Sequence, residues 1–191
     1  MRTLLFCFAL ALTGCATTTS SSDLDRLLNQ DPAAAELMPP PLDYVRLEHA
    51  LLAEVNAVRA QHKRAPLTEV PRLTDAARAH SEQMSTGRFF AHDYGGQDAG
   101  RRAGLDERDL GENLYLAHRF SSYERHEQDG AVRYVVDWRS EEEIARHAVT
   151  MWMQSPSHRA NLLSPVYGGQ AVGVATGEGA TIFITQSLAP R

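Results

Sequence analysis

Residues 171–188 read AVGVATGEGATIFITQSL, and this stretch decides the fold. Ala171–Ala175 and Thr181–Leu188 are short runs rich in Val, Ile, Phe and Thr, residues that suit a pleated surface. Gly177-Glu178-Gly179 lies between them and supplies a tight turn. Strands joined so closely pair antiparallel, because a parallel pair needs a crossover of a dozen residues or more. Upstream lie helical patterns. Ser140-x-x-Glu143 is a capping box opening a helix to about Gln154, with Ile144, Ala148, Met151 and Trp152 on its apolar face. Ser155-Pro156 ends it, and a short turn is expected to carry His158. Earlier patterns predict helices over about Asp43–Lys63 and Pro71–Thr86. Tyr44, Leu47, Leu51, Val55 and Val58 form the buried stripe of the first, with Asp43 as its N-cap. Leu73, Ala76, Ala77, His80 and Met84 form that of the second, which Gly87 stops. The expected fold is α+β, with helices packed on an antiparallel sheet.

Two further segments complete the domain. Arg88–His92 reads as a short extended piece, followed by a loop rich in glycine at Gly95, Gly96, Gly100, Gly104 and Gly111. Tyr123–Trp138 reads as a β-hairpin around Asp129-Gly130, a dipeptide that accepts the positive φ angles of a type I′ turn.

The 191 residues suffice for one domain with short appendages. Hydrophobic residues make up 43% and charged residues 23%, which excludes a wholly disordered chain and a polytopic membrane protein. The net charge of −5 offers no basic field, so no nucleic acid is expected as a partner. The two cysteines, Cys7 and Cys15, both lie near the N-terminus, which excludes a disulfide scaffold from the rest of the chain.

That N-terminus has its own logic. Arg2 precedes the apolar run Thr3–Leu12, which has the length of a signal-peptide core and is too short to span a bilayer as a helix. Leu12-Thr13-Gly14-Cys15 resembles the lipobox of bacterial lipoproteins, implying cleavage after residue 14 and acylation of Cys15. Residues 15–41 then form a lipidated tether. It contains the polar run Ala16–Ser22, a short helix over Ser22–Gln30 and a stiff Pro39-Pro40-Pro41 spacer before a domain over 42–191. Lipid chains on Cys15 would hold the domain to a membrane. Ala16 follows Cys15 where an aspartate would mark inner-membrane retention, so the outer membrane is expected if the cell has two.

Eight histidines are present, but their spacing forms no His-Glu-x-x-His pair. His80 lies on an apolar helix face and is expected as a hydrogen-bonded core residue. His92, His158 and Glu112 stand just outside regular elements, where functional side chains concentrate. Glu112 abuts apolar sequence and needs a cation or an imidazolium as partner. An ionised Glu112 between the two histidines would raise both of their pKa values. No Gly-x-Ser-x-Gly elbow is present, and the closeness of Ser155 and Ser157 to His158 in sequence does not create a Ser-His pair.

Six segments in order resemble the CAP superfamily, which groups cysteine-rich secretory proteins, antigen 5 and pathogenesis-related proteins. They resemble its cysteine-poor bacterial branch most. The segments are Leu52–Arg59 with its Asn56-x-x-Arg59, Ala65–Leu67 followed by Leu73–Ala77, Phe90-Ala91-His92, Gly111-Glu112-Asn113-Leu114, Ser155–Leu163, and Val172–Val174 with Thr185-Gln186. The resemblance spans about Leu51 to Ala189. It implies an α-β-α sandwich with a central antiparallel sheet, the 123–138 hairpin being an insertion. It further implies a cleft where His92, Glu112 and His158 converge beside Asn113 and Ser155.

Some members bind a divalent metal such as zinc there through two histidines and two acids. The position of the second acid, three residues after Trp152, is held here by Ser155, a poor zinc ligand. The expected function is a non-catalytic binding protein of the bacterial cell envelope, taking a lipid, a cell-wall fragment or a protein partner. The alternatives are a hydrolase using a metal-bound water, and an interaction module in which the polar cluster only stabilises the fold.

Overall fold

The computed structural model describes residues 39–104 and 110–191. The leader, Cys15 and the helix expected over 22–30 lie outside the described residues. In chain order the elements are α1 (Tyr44–Gln61), β1 (Thr68–Glu69), α2 (Pro71–Gly87), α3 (Ala99–Arg102), β2 (Gly111–His118), β3 (Phe120–Gln128), β4 (Ala131–Trp138), α4 (Glu141–Gln154), α5 (Pro156–Leu163), β5 (Tyr167–Thr176) and β6 (Thr181–Pro190).

The main sheet has the order β1-β5-β6-β2. β5–β6 and β2–β6 pair antiparallel, whereas the two-residue β1 runs parallel to β5. One face packs on α1, α4 and α5. There Leu47, Leu51 and Val55 meet Ile144, Ala148, Trp152 and Leu162 over Val172, Val174, Ile182, Ile184 and Leu188. The other face packs on α2, where Leu73 meets Ala171 and Ala189, and Met84 meets Leu114 and Phe183. Alternation along β6 thus sends successive side chains into two helical layers, giving the expected α-β-α sandwich. α2 lies so close to β5 that a Cβ on Gly173 would sit 2.0 Å from the Arg78 nitrogen. Only glycine fits there.

Asn56 and Arg59 act as backbone clamps within α1. The Asn56 amide exchanges two hydrogen bonds with the Leu67 backbone at 2.8 and 2.9 Å. Arg59 is fully buried and donates to the carbonyls of Ala65, Leu162, Ser164 and Tyr167. Burial pulls its pKa below the ordinary value, with Arg191 and Arg64 adding repulsion.

β2 is an edge strand. Its outward carbonyls at Glu112, Leu114 and His118 accept from Asn161 (3.1 Å), Trp152 (2.8 Å) and Arg139 (2.9 Å). Side chains of α4, α5 and the segment before α4 therefore occupy an edge that would otherwise invite another strand.

The hairpin forms its own two-stranded sheet. Asp129 and Gly130 have φ of 52° and 78°, as a type I′ turn requires. The α4 capping box is present as expected, with Ser140 and Glu143 bonding reciprocally.

Several expectations are corrected. Gly111–His118 is a strand, not the end of a loop. Buried residues fall on both of its faces, so no regular polar side marks it in the sequence. The hairpin begins at Phe120. His158 lies on helix α5, not in a turn, because Pro156 both ends α4 and suits the first position of the next helix. Arg88–His92 forms no strand. The left-handed residue after α2 is Arg88 (φ 52°); Gly87 is helical, and a Cβ there would press on the Phe89 ring at 2.9 Å. Tyr44 is 39% exposed and leaves the core stripe.

Candidate functional site

Glu112, the second residue of β2, projects toward the loop before that strand, with its side chain only 6% exposed. One carboxylate oxygen accepts from His92 Nδ1 at 2.9 Å. The other accepts from Arg102 Nη2. Arg102 is equally buried, at 6% exposure, and its Nη1 donates to the carbonyls of His92 and Gln97, both at 2.8 Å. The guanidinium therefore fixes the carboxylate and the loop that presents His92.

Arg102 ends the short helix α3, which Asp98 caps by accepting from the Arg101 nitrogen. Sequence reasoning required a cation for Glu112 but did not name this one. The Arg101-Arg102 pair inside the glycine-rich loop was the available signal.

His92 is 58% exposed, and its ring lies 6.5 Å from that of His158. The His158 imidazole makes no hydrogen bond among the described residues. Its carbonyl accepts from Asn113 Nδ2 at 3.4 Å. Burial lowers the His158 pKa, and the neighbouring His92 lowers it further. The expectation that Glu112 raises the pKa of both histidines therefore fails for His158, because the carboxylate is turned to Arg102 and His92. Neutral imidazole is the form of His158 at neutral pH.

Asn113 belongs to a buried polar ladder running across the sheet. Asn161 donates to Asn113 Oδ1 (3.0 Å), Asn113 donates to Gln186 (2.9 Å), and Gln186 donates to Gln170 (2.6 Å). It ties α5 to β2, β6 and β5, so Asn113 has a supporting role. Ser155 stands at the N-cap position of α5 without a side-chain capping bond, and its hydroxyl lies 3.3 Å from that of Ser157; neither bonds a histidine. His80 is fully buried, as expected, and its Nε2 donates to the Ala91 carbonyl at 2.9 Å. It thereby holds the residue before His92. Burial lowers the His80 pKa, and the Arg102 charge acts in the same direction.

The donor set does not fit the zinc centre that the family resemblance implies. Both Glu112 oxygens are taken, and a metal would strip Arg102 of its counter-ion in a buried position. Among the described residues no three His, Cys, Asp or Glu side chains are arranged to hold a metal ion. The residues can instead present a rigid surface. An exposed imidazole, a neutral imidazole beside it and an internally neutralised carboxylate offer hydrogen bonds without a free acid or an activated hydroxyl.

The family model described as the cysteine-rich secretory protein family (CAP) matches residues 52–187. No curated protein sequence matches the chain. Among solved structures, an extracellular SCP-domain protein from Bacillus anthracis superposes with a TM-score of 0.56 at 21% identity. The match covers 80% of this chain and 45% of that one. An outer surface protein from Borrelia burgdorferi gives 0.57 at 14% identity, covering 81% of this chain and 99% of that one. A cysteine-rich secretory protein from Staphylococcus aureus gives 0.53 at 15%, covering 80% and 41%. The chain spans less than half the length of the Bacillus and Staphylococcus proteins and nearly all of the Borrelia protein. The fold, the ordered motifs and the family match over residues 52–187 lead to one conclusion: the chain belongs to the cysteine-rich secretory protein family and carries a CAP domain.

Proposed function

We propose that this chain is a lipid-anchored protein of the bacterial cell envelope whose CAP domain binds a ligand without turning it over. The observation that carries this reading is the closed Arg102–Glu112–His92 arrangement, which uses both oxygens of the cleft's only sequence-predicted carboxylate. A hydrolase needs a base for its water or nucleophile. Glu112 is held as a counter-ion, and the serines near His158 bond no imidazole. What remains for a ligand is the exposed His92 edge and the neutral His158 ring, groups suited to hydrogen bonding a lipid headgroup, a cell-wall fragment or a protein loop.

Anchoring is supported by the apolar run before Cys15 and the small residues preceding it. Among the described residues no helix is long and apolar enough to cross a membrane. The extracellular and outer-surface descriptions of the Bacillus and Borrelia structures agree with an envelope location.

The test pairs binding with turnover. Full-length protein is incubated with purified peptidoglycan fragments and with ester, amide and glycosidic substrates, beside the His158→Ala variant. Binding that weakens in the variant, without hydrolysis, is expected. Hydrolysis by the wild type that disappears in His158→Ala would overturn the reading.

A further inference from the structure

A cavity of about 420 Å³ lies at the root of the hairpin, and none of His92, Glu112 and His158 lines it. One wall is apolar and comes from Leu116, Ala117 and Phe120, with the His118 ring stacked on Phe120 at 5.0 Å. The other wall is cationic and polar. Arg139 and His147 line it, and no Asp or Glu does among the described residues. Arg139 donates from Nη1 to the His118 carbonyl and pairs with no carboxylate among the described residues. On a chain of net charge −5, this leaves a half-buried guanidinium facing a cavity without its usual partner.

The neighbouring polar groups are engaged or enclosed. His147 Nδ1 lies 2.7 Å from the Tyr115 hydroxyl. Burial pushes the pKa of that phenol up to about 12, so it keeps its proton. The Ser121 and Thr181 hydroxyls are already engaged, with Asp137 and the Glu178 carbonyl. Tyr123 is different. The residue is 3% exposed and contributes to the cavity wall, but its hydroxyl is fully enclosed and has no hydrogen-bond partner among the described residues. What the cavity lacks is therefore a counter-ion for Arg139, a half-buried cation with no carboxylate partner among the described residues.

We infer that the hairpin root is a binding site for an oxyanion, a phosphate or carboxylate carried on a small apolar body. Arg139 would meet the anion, and Phe120 and Leu116 would cover the apolar part. Arginine suits this role because its planar fork matches two oxyanion oxygens. The inserted hairpin thereby gains a function, since Phe120–Tyr123 supply the wall that closes the cavity. The inference is independent of the cleft and of the proposed function.

The experiment is calorimetric titration of the full chain carrying Cys15→Ala, which removes the acylation site. The probes are phenyl phosphate, benzoate, and vesicles of phosphatidylglycerol beside vesicles of phosphatidylcholine. On that background, Arg139→Met is expected to weaken binding at least about tenfold. Arg139→Lys, which keeps the charge and loses the planar fork, should also weaken binding, though less than Arg139→Met does. Saturable binding of phenyl phosphate or benzoate with these losses supports a soluble ligand. Arg139-dependent binding confined to phosphatidylglycerol vesicles supports a lipid headgroup. Absence of binding to every probe, or binding unchanged in both variants, overturns the inference.

Discussion

Replacing Glu112 with glutamine isolates the buried ion pair from everything else in the cleft. The substitution keeps the shape of the side chain and removes its charge. Arg102 then stays in a site where its side chain is 6% exposed, with only the carbonyls of His92 and Gln97 as acceptors among the described residues. Removing one partner of a buried pair costs about 3–5 kcal/mol, because the other charge is left uncompensated. The His92 arm of the same carboxylate is a smaller matter. That imidazole is 58% exposed, so water screens it, and His92→Ala should cost less than about 1 kcal/mol. In a domain of this size a loss of 3–5 kcal/mol lowers the melting temperature by about 10 °C. Urea unfolding at neutral pH, followed by far-UV circular dichroism, would measure both variants. A Glu112→Gln loss within about 1 kcal/mol of wild type, or equal to that of His92→Ala, would refute the claim that Arg102 holds the carboxylate.

His80, His147 and His158 are all held below the ordinary histidine value, mainly by burial. Below about pH 6.5 the unfolded chain therefore binds more protons than the native one, so stability is full above that pH and falls on acidification. The melting temperature should drop between about pH 7.5 and 5.5, and less steeply in His80→Gln; a rise over that window would contradict the assigned shifts. Gly173→Ala should destabilise by about 3 kcal/mol or more, since its Cβ would overlap the α2 backbone, and a near-neutral result in thermal melts would mean that α2 does not approach β5 this closely. Cys15→Ala should abolish fatty-acid labelling and release the protein from membranes; label retained by the variant would remove the lipobox reading.

Local chemistry was the most legible part of the fold. The Ser140–Glu143 capping box and the Asp129-Gly130 turn each depend on two residues and a known backbone geometry, and both form as the sequence implies. β2 was hidden for a physical reason. Glu112, Leu114 and Leu116 lie on one face and Asn113, Tyr115 and Ala117 on the other; buried residues occur on both and the exposed Leu116 is apolar, so polarity does not alternate along the strand. His92, Glu112 and His158 do come together at one end of the sandwich. Their electrostatics were not legible, because Arg102 reaches Glu112 from a four-residue helix whose only sequence mark is a capping Asp98 in a glycine-rich loop. The orphaned Tyr123 hydroxyl is invisible to sequence for a similar reason, since it depends on which neighbours the hairpin packs against.

The central claim is that Arg102 neutralises the cleft carboxylate from within, leaving a binding surface and no metal centre. Zinc titration by calorimetry, with melting temperatures taken with and without a chelator, tests this most directly. The expected result is no stoichiometric zinc binding attributable to His92 or Glu112, and a melting temperature that the chelator leaves unchanged. Tight one-to-one zinc binding that is lost in both His92→Ala and Glu112→Gln, with a chelator-sensitive melting temperature, would contradict it.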